Sequence, residues 1–164
     1  MPLNPAVLTQ ALITMDDPSP GQDTLSCANA WFEALWQYYS GCTALNPLAL
    51  VATKELARGV FVPILAPAMV PSPLPLPFCL ALGGAVSAMV SATLIPGVML
   101  PVWSLGTPNP IPLGPLLLPA AALGMAGGSA KPPSRIYIAG VISGWMYGNL
   151  VLPTIQPAPP VPIF

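Results

Sequence analysis

Charge is what this chain has least of. Four Lys and Arg and five Asp and Glu make up 5% of its 164 residues, for a net charge of −1, where roughly 25% charged residues is usual for a globular domain. Histidine is absent altogether. That absence excludes Ser–His–Asp and Cys–His catalysis and every histidine-ligated metal site. The near balance of signs gives no electrostatic footprint for nucleic acid. The first charges are Asp16 and Asp17, so the N-terminus lacks the basic stretch that opens a secretory signal. The three cysteines, Cys27, Cys42 and Cys79, show no CxxC spacing. Reduced, buried thiols are the expectation, and spacing alone leaves a Cys27–Cys42 bridge open.

What is present in excess is proline and apolar bulk. Hydrophobic residues are 54% of the chain and there are 25 prolines, about three times the usual ~5%. The distribution is uneven. Charges lie within residues 16–58 and at Lys131 and Arg135, whereas residues 59–130 and 136–164 carry none. Twenty of the prolines follow Gly59. The shift sets a compositional boundary near 59–62, between a small helical region (1–59) and an apolar Pro-rich region for oligomerisation or embedding (60–164). A lone soluble monomer needs charge on its surface. Much of this surface is therefore expected to be covered by lipid, by copies of itself or by a partner.

Three helices are readable before the boundary. Asn4-Pro5 is a cap followed by proline at the first helical position, where the missing N–H is not needed; Val7, Leu8, Leu12 and Met15 follow at helical spacing. The run Ser19-Pro20-Gly21-Gln22 reads as a second start with a capping box. From it, Leu25, Ala28, Phe32, Leu35, Trp36 and Tyr39 form one apolar stripe that Gly41 can end. The third start is Asn46-Pro47, carrying Leu48, Val51 and Leu56 and stopping at Gly59 with Arg58 in its last turn.

After the boundary, proline sets the backbone. Pro63, Pro67 and Pro71 are expected to interrupt helices. Pro71, Pro73, Pro75 and Pro77 predict an extended stretch, because a residue before proline is pushed out of the helical region. A hydrophobic helix over Phe78–Ile95 follows, closed by Pro96-Gly97. Residues 106–115 and 153–164 read as extended, and 135–142 (RIYIAGVI) as a short strand. The fold class is thus mainly α with extended irregular segments.

No catalytic motif survives inspection. Residues 124–132 (GMAGGSAKP) lack the Gly-Lys adjacency of a phosphate loop, and Pro132 stands where Ser or Thr should follow. Residues 140–144 (GVISG) lack the spacing of a nucleophile elbow. Asp16, Asp17 and Asp23 suit caps and turns better than a cation site. The reading is non-enzymatic, with no catalytic, cofactor-binding or metal-binding residue. The aromatic cluster Trp31, Phe32, Trp36, Tyr38, Tyr39 reads as packing core, with Trp36 and Tyr39 also suited to a subunit contact.

Lipid and protein compete as the cover for the apolar half. Phe78–Ile95 would span roughly 27 Å as a helix, near the ~30 Å hydrocarbon core. Its Gly84/Ala88/Ala92 and Gly83/Ser87/Ser91 rows suit close helix packing. The flanks oppose a membrane. Seven carbonyls in Pro71–Pro77 lack partners within the segment, and exposing them to acyl chains costs on the order of 20 kcal/mol. Burying Leu74 and Leu76 returns only about 3–6 kcal/mol. The predicted interface is therefore Pro71, Pro73, Leu74, Pro75, Leu76, Pro77, Gly83, Gly84 and Ala88, with Trp36 and Tyr39.

No histidine, few charges, a Pro/Ala/Gly-rich apolar half and no catalytic motif give residues 60–164 a texture that resembles small hydrophobic structural proteins of phage virions, tail and baseplate components above all. The resemblance transfers no functional residue. It implies a structural subunit in a virion, partnered by copies of itself and by other structural proteins, plugging or lining a symmetric channel or wrapping its neighbours. The alternative is a membrane-inserting, pore-forming or holin-like protein built on the 78–95 helix.

Overall fold

Asn4 opens the first helix as its sequence predicts: its side chain accepts a hydrogen bond from the Ala6 N–H at 3.0 Å, and Pro5 takes the first helical position. The computed structural model describes residues 4–15, 23–40, 54–70, 74–92, 94–95, 103–107, 109–125, 131–148, 150–153 and 161–162. Within them lie six α-helices: α1 (Pro5–Thr14), α2 (Thr24–Tyr39), α3 (Lys54–Leu65), α4 (Leu76–Ser91), α5 (Leu113–Met125) and α6 (Lys131–Met146). A 3₁₀ turn, Ala66–Met69, follows α3. Four short strands are added, β1 (Leu94–Ile95), β2 (Trp103–Thr107), β3 (Leu150–Pro153) and β4 (Val161–Pro162). The protein is mainly α.

Each helix packs against the next in sequence, and α1 also packs against α6. The six helices therefore close into a ring. The closing seam is fastened by Arg135 near the start of α6, whose Nη1 donates to the carbonyls of Met15 (2.9 Å) and Ile13 (3.4 Å) at the end of α1. Those carbonyls have no intrahelical partner, and a cation there also suits the helix dipole. The strands form one antiparallel sheet in the order β1-β2-β3-β4. They leave from the ends of α4 and α6 and lead into α5, so the sheet sits at one end of the ring.

All six helices contribute to one core. Leu8 and Leu12 of α1, Phe32 and Tyr39 of α2, Phe61 of α3, Leu82 and Met89 of α4, Leu117 of α5 and Ile142 of α6 are fully buried members. Aromatic rings join α2 to its neighbours: Trp31 meets Phe78 edge-on at 5.3 Å, and Phe32 meets Phe61 at 5.6 Å. The compositional boundary at 59–62 falls inside α3, and buried residues on either side belong to the same core.

Several sequence expectations need correction. Helix α3 runs through Gly59 to Leu65 with Pro63 inside it. Both residues face outward, so the missing proline N–H bares the Gly59 carbonyl to the exterior instead of to the core. The cap of α2 is Asp23, whose side chain accepts from Leu25 N–H at 3.1 Å; residues 19–22 and 46–53 lie outside the described residues. The segment 135–142 is helix, not strand. Its β-branched residues suggested a strand, but Ser134, Ile138, Ile142 and Trp145 bury one face at helical spacing, and that periodicity prevails. The helix expected over Phe78–Ile95 runs Leu76–Ser91, with Leu94–Ile95 in β1. Pro77 sits in its first turn, where proline fits, so only Leu74 remains outside helical geometry before the Pro75 cap; residues 71–73 lie outside the described residues. Residues 113–115, expected to be extended, open α5.

Gly83 sets the distance between α4 and α5. A Cβ added there would meet the Gly114 Cα at 2.8 Å and the Leu113 carbonyl carbon at 3.2 Å, and one added at Gly114 would meet the Cys79 oxygen and Leu80 Cα at 3.0 Å. The two backbones touch, and neither position tolerates a side chain. Gly84, one residue on, faces outward with only Ile64 Cγ2 at 3.7 Å from such a Cβ.

Two predictions follow from this packing, both read by denaturant unfolding. Gly83→Ala destabilises by about 1–3 kcal/mol through overpacking, while Gly84→Ala is neutral or stabilises by up to about 1 kcal/mol; equal effects would reject the backbone contact. Phe32→Ala, at a fully buried ring, costs about 3–5 kcal/mol, and Trp36→Ala, at a half-buried ring stacked on Phe32 at 5.8 Å, costs less.

Candidate assembly surface

The charged side chains come first, since they would carry any chemistry. Glu33 of α2 accepts from Lys54 Nζ at 2.8 Å and from Arg58, both on α3. Arg58 also reaches Glu55 at 3.3 Å and lies 5.5 Å from the centroid of the Phe32 ring. This cluster clamps α3 onto α2. Burial of Glu33 alone would raise its pKa, but hydrogen bonds from Lys54 and Arg58 and their positive charges outweigh it and hold the carboxyl below its ordinary value of 4.5. Asp23 caps α2, and Asp16 and Asp17 lie outside the described residues. Among the described residues, no group of three or more His, Cys, Asp or Glu could hold a metal ion.

Both described thiols are shielded by burial. Cys27 and Cys79 are free and buried, and burial pushes the Cys79 thiol up, away from the reactive thiolate. The proposed bridge partner Cys42 lies outside the described residues. Residues 140–144 form the interior of α6, not a turn. Residues 126–130 of the glycine-rich stretch lie outside the described residues, while Lys131 and Pro132 open α6.

A cleft of about 360 Å³ opens where α1 ends and α6 begins. Met15, Met69, Met125, Trp31 and Phe78 line it, with Lys131 and Arg135 beside them. Arg135 is engaged in closing the ring, and Ser134 donates to the Ala120 carbonyl at 2.5 Å, tying α6 to α5.

The described residues of the predicted interface separate into three groups. Leu74, Leu76, Pro77 and Gly84 are exposed, with Leu74 at 64%. Pro75, Ala88 and Trp36 are half-buried. Gly83 and Tyr39 are buried within the chain, Gly83 against α5 and Tyr39 in the core beside Trp36 at 6.1 Å. Pro71 and Pro73 lie outside the described residues. The small-residue row at Gly83 thus meets a helix of the same chain.

Sequence reasoning overlooked the outer faces of α5 and α6. Every exposed residue of α5 is apolar: Pro115, Leu116, Pro119, Ala122, Leu123 and Met125. Beyond its first turn, α6 exposes Ile136, Tyr137, Gly140 and Gly144. A surface helix normally carries polar residues on its outer face; these do not. The signal was legible, because a helix without charge or periodic polarity has an apolar exterior wherever it packs. No helix among the described residues is long and apolar enough to cross a membrane; α4 has 16 residues, about 24 Å at 1.5 Å per residue.

The Glu33 cluster gives a pH dependence of definite sign. A carboxyl whose folded pKa is depressed stabilises the fold fully above its unfolded pKa, and that stability is lost as pH falls through the folded value. Unfolding midpoints of the parent should therefore drop below about pH 4.5, and Glu33→Gln should flatten that part of the curve. An unchanged acid limb in the variant would exclude Glu33 as its source.

No family model, no curated protein and no solved structure matches this chain.

Proposed function

We propose that this chain is a non-enzymatic structural subunit of a large protein assembly, joining copies of itself and other structural proteins through uncharged outer faces. A virion tail or baseplate is the setting its composition suggests. The observation that carries the reading is the exterior of α4, α5 and α6, where Leu76, Leu80, Leu116, Leu123, Ile136 and Tyr137 are each 44–53% exposed and no charge lies between Gly59 and Ala130 or beyond Arg135. Exposed apolar area on this scale marks a contact surface. In this reading the cluster-bearing helices α2 and α3 form the polar side. The hydrophobic helix α4 shares the embedded side with α5 and α6.

Protein suits that side better than acyl chains. Pro119 has no N–H for the Pro115 carbonyl, and both residues face outward on α5. An unsatisfied carbonyl in hydrocarbon costs several kcal/mol, whereas a protein neighbour or a trapped water can donate to it.

Light scattering of the full chain in plain buffer tests the reading. The expected result is a species several times the 16.9 kDa chain mass. A monodisperse monomer would overturn it, and a chain soluble only in detergent would move the contact surface toward lipid.

A further inference from the structure

We infer that the joined outer faces of α5 and α6 form a self-complementary contact, and that their occupant is the same face of a second copy of this chain. This rests on the assembly reading above and specifies where and with what the assembly begins. Two adjoining grooves run over the outer face of α6, the second reaching Leu116 of α5. One is lined by Pro133, Ile136, Tyr137, Gly140 and Val141, and the other continues over Gly144 and Trp145 to Ile111 and Leu116. Tyr137, Gly140 and Val141 belong to both, so the surface is continuous.

The absence of charge allows this occupant. In a two-fold contact each residue meets its own kind or a neighbour within the same patch. A charged residue there would face its like or be buried unpaired. From Ile136 to Met146 and along all of α5 there is no charged residue, so the face can meet itself without either cost.

Area agrees. Helices of 13 and 16 residues are about 20–24 Å long, and two side by side are about 20 Å wide. The projected face is on the order of 450 Å², and its corrugation brings the accessible surface toward the ~800 Å² per partner of a standard interface. Helix α6 alone reaches about half of that, so the α5 half is needed.

The glycines fit this geometry. Gly140 and Gly144 meet nothing within 4 Å of an added Cβ, so no internal contact calls for them, unlike Gly83 against Gly114. They leave a shallow channel between Tyr137 and Trp145 into which a second backbone can sink.

The test uses the full chain with Cys42→Ser. Sedimentation velocity over a concentration series compares it with Gly140→Leu/Gly144→Leu, and a short bis-maleimide probes Gly140→Cys against Leu56→Cys on the opposite side of the ring. The inference expects at least tenfold weaker self-association for the double leucine variant, with its helical circular dichroism retained and its thermal midpoint unchanged or raised. It also expects covalent dimers from Gly140→Cys and none from Leu56→Cys. Assembly that persists in the double variant, without Gly140→Cys dimers, overturns this inference and leaves the assembly reading standing. A monomeric parent overturns both. A parent that dissolves only in micelles, as a monomer, overturns it in favour of lipid.

Discussion

Gly83 and Gly114 bring α4 and α5 into backbone contact, and the rest of the ring is built outward from that distance. Helix α3 packs on the free flank of α4 and α6 on the free flank of α5. Glycine costs about 1 kcal/mol relative to alanine at each helical position. The return is dispersion contact along two helices with almost no polar atoms outside their backbones, where close approach is the main attraction available. With so few charges in the chain, distance does the work that ion pairs do elsewhere. Among the described residues the exception is the Glu33–Lys54–Arg58 cluster, which joins α2 to α3.

Local chemistry was legible in the sequence wherever one residue decides it. Asn4-Pro5 marked the start of α1, and the stripe through Ala28, Phe32, Leu35 and Tyr39 marked the buried face of α2. What misled was proline read without its surroundings. Pro63 suggested a break, yet it sits inside a helix, as Pro119 does, because the carbonyl each leaves bare points away from the core. The segment 135–142 failed for a different reason. Ile136, Tyr137, Ile138 and Val141 favour a strand one by one, but the lysine-proline-proline opening at Lys131 and the burial of Ser134, Ile138 and Ile142 on one side select a helix. As for the surface, Gly84 and Leu76 lie on the outside of the chain. The small-residue row was legible as a place of close packing, but nothing in one sequence says whether the partner helix is in the same chain or another. Gly83 turned out to meet Gly114.

The outward prolines bear on the environment as well as on the fold. Pro63, Pro67, Pro77, Pro115 and Pro119 all lie on the exterior. Pro63 and Pro119, inside helices, each remove a donor where the helix would otherwise be self-sufficient, so the outer surface is apolar in its side chains and leaves two backbone carbonyls in want of a donor. Lipid satisfies the first property only, and bulk water only the second. A protein face, with trapped water at its rim, satisfies both.

The order of the ring has a kinetic consequence. Five of its six helix contacts join consecutive helices across connections of 5 to 21 residues; closure entropy grows only slowly with length, and such contacts let structure grow step by step along the chain. The sixth, α1 on α6, spans almost the whole sequence: Arg135 and the Met15 carbonyl are 120 positions apart. That seam pays the largest closure entropy and is held by one short helix of 10 residues. Its closure entropy therefore favours late formation, after the consecutive helices have stacked.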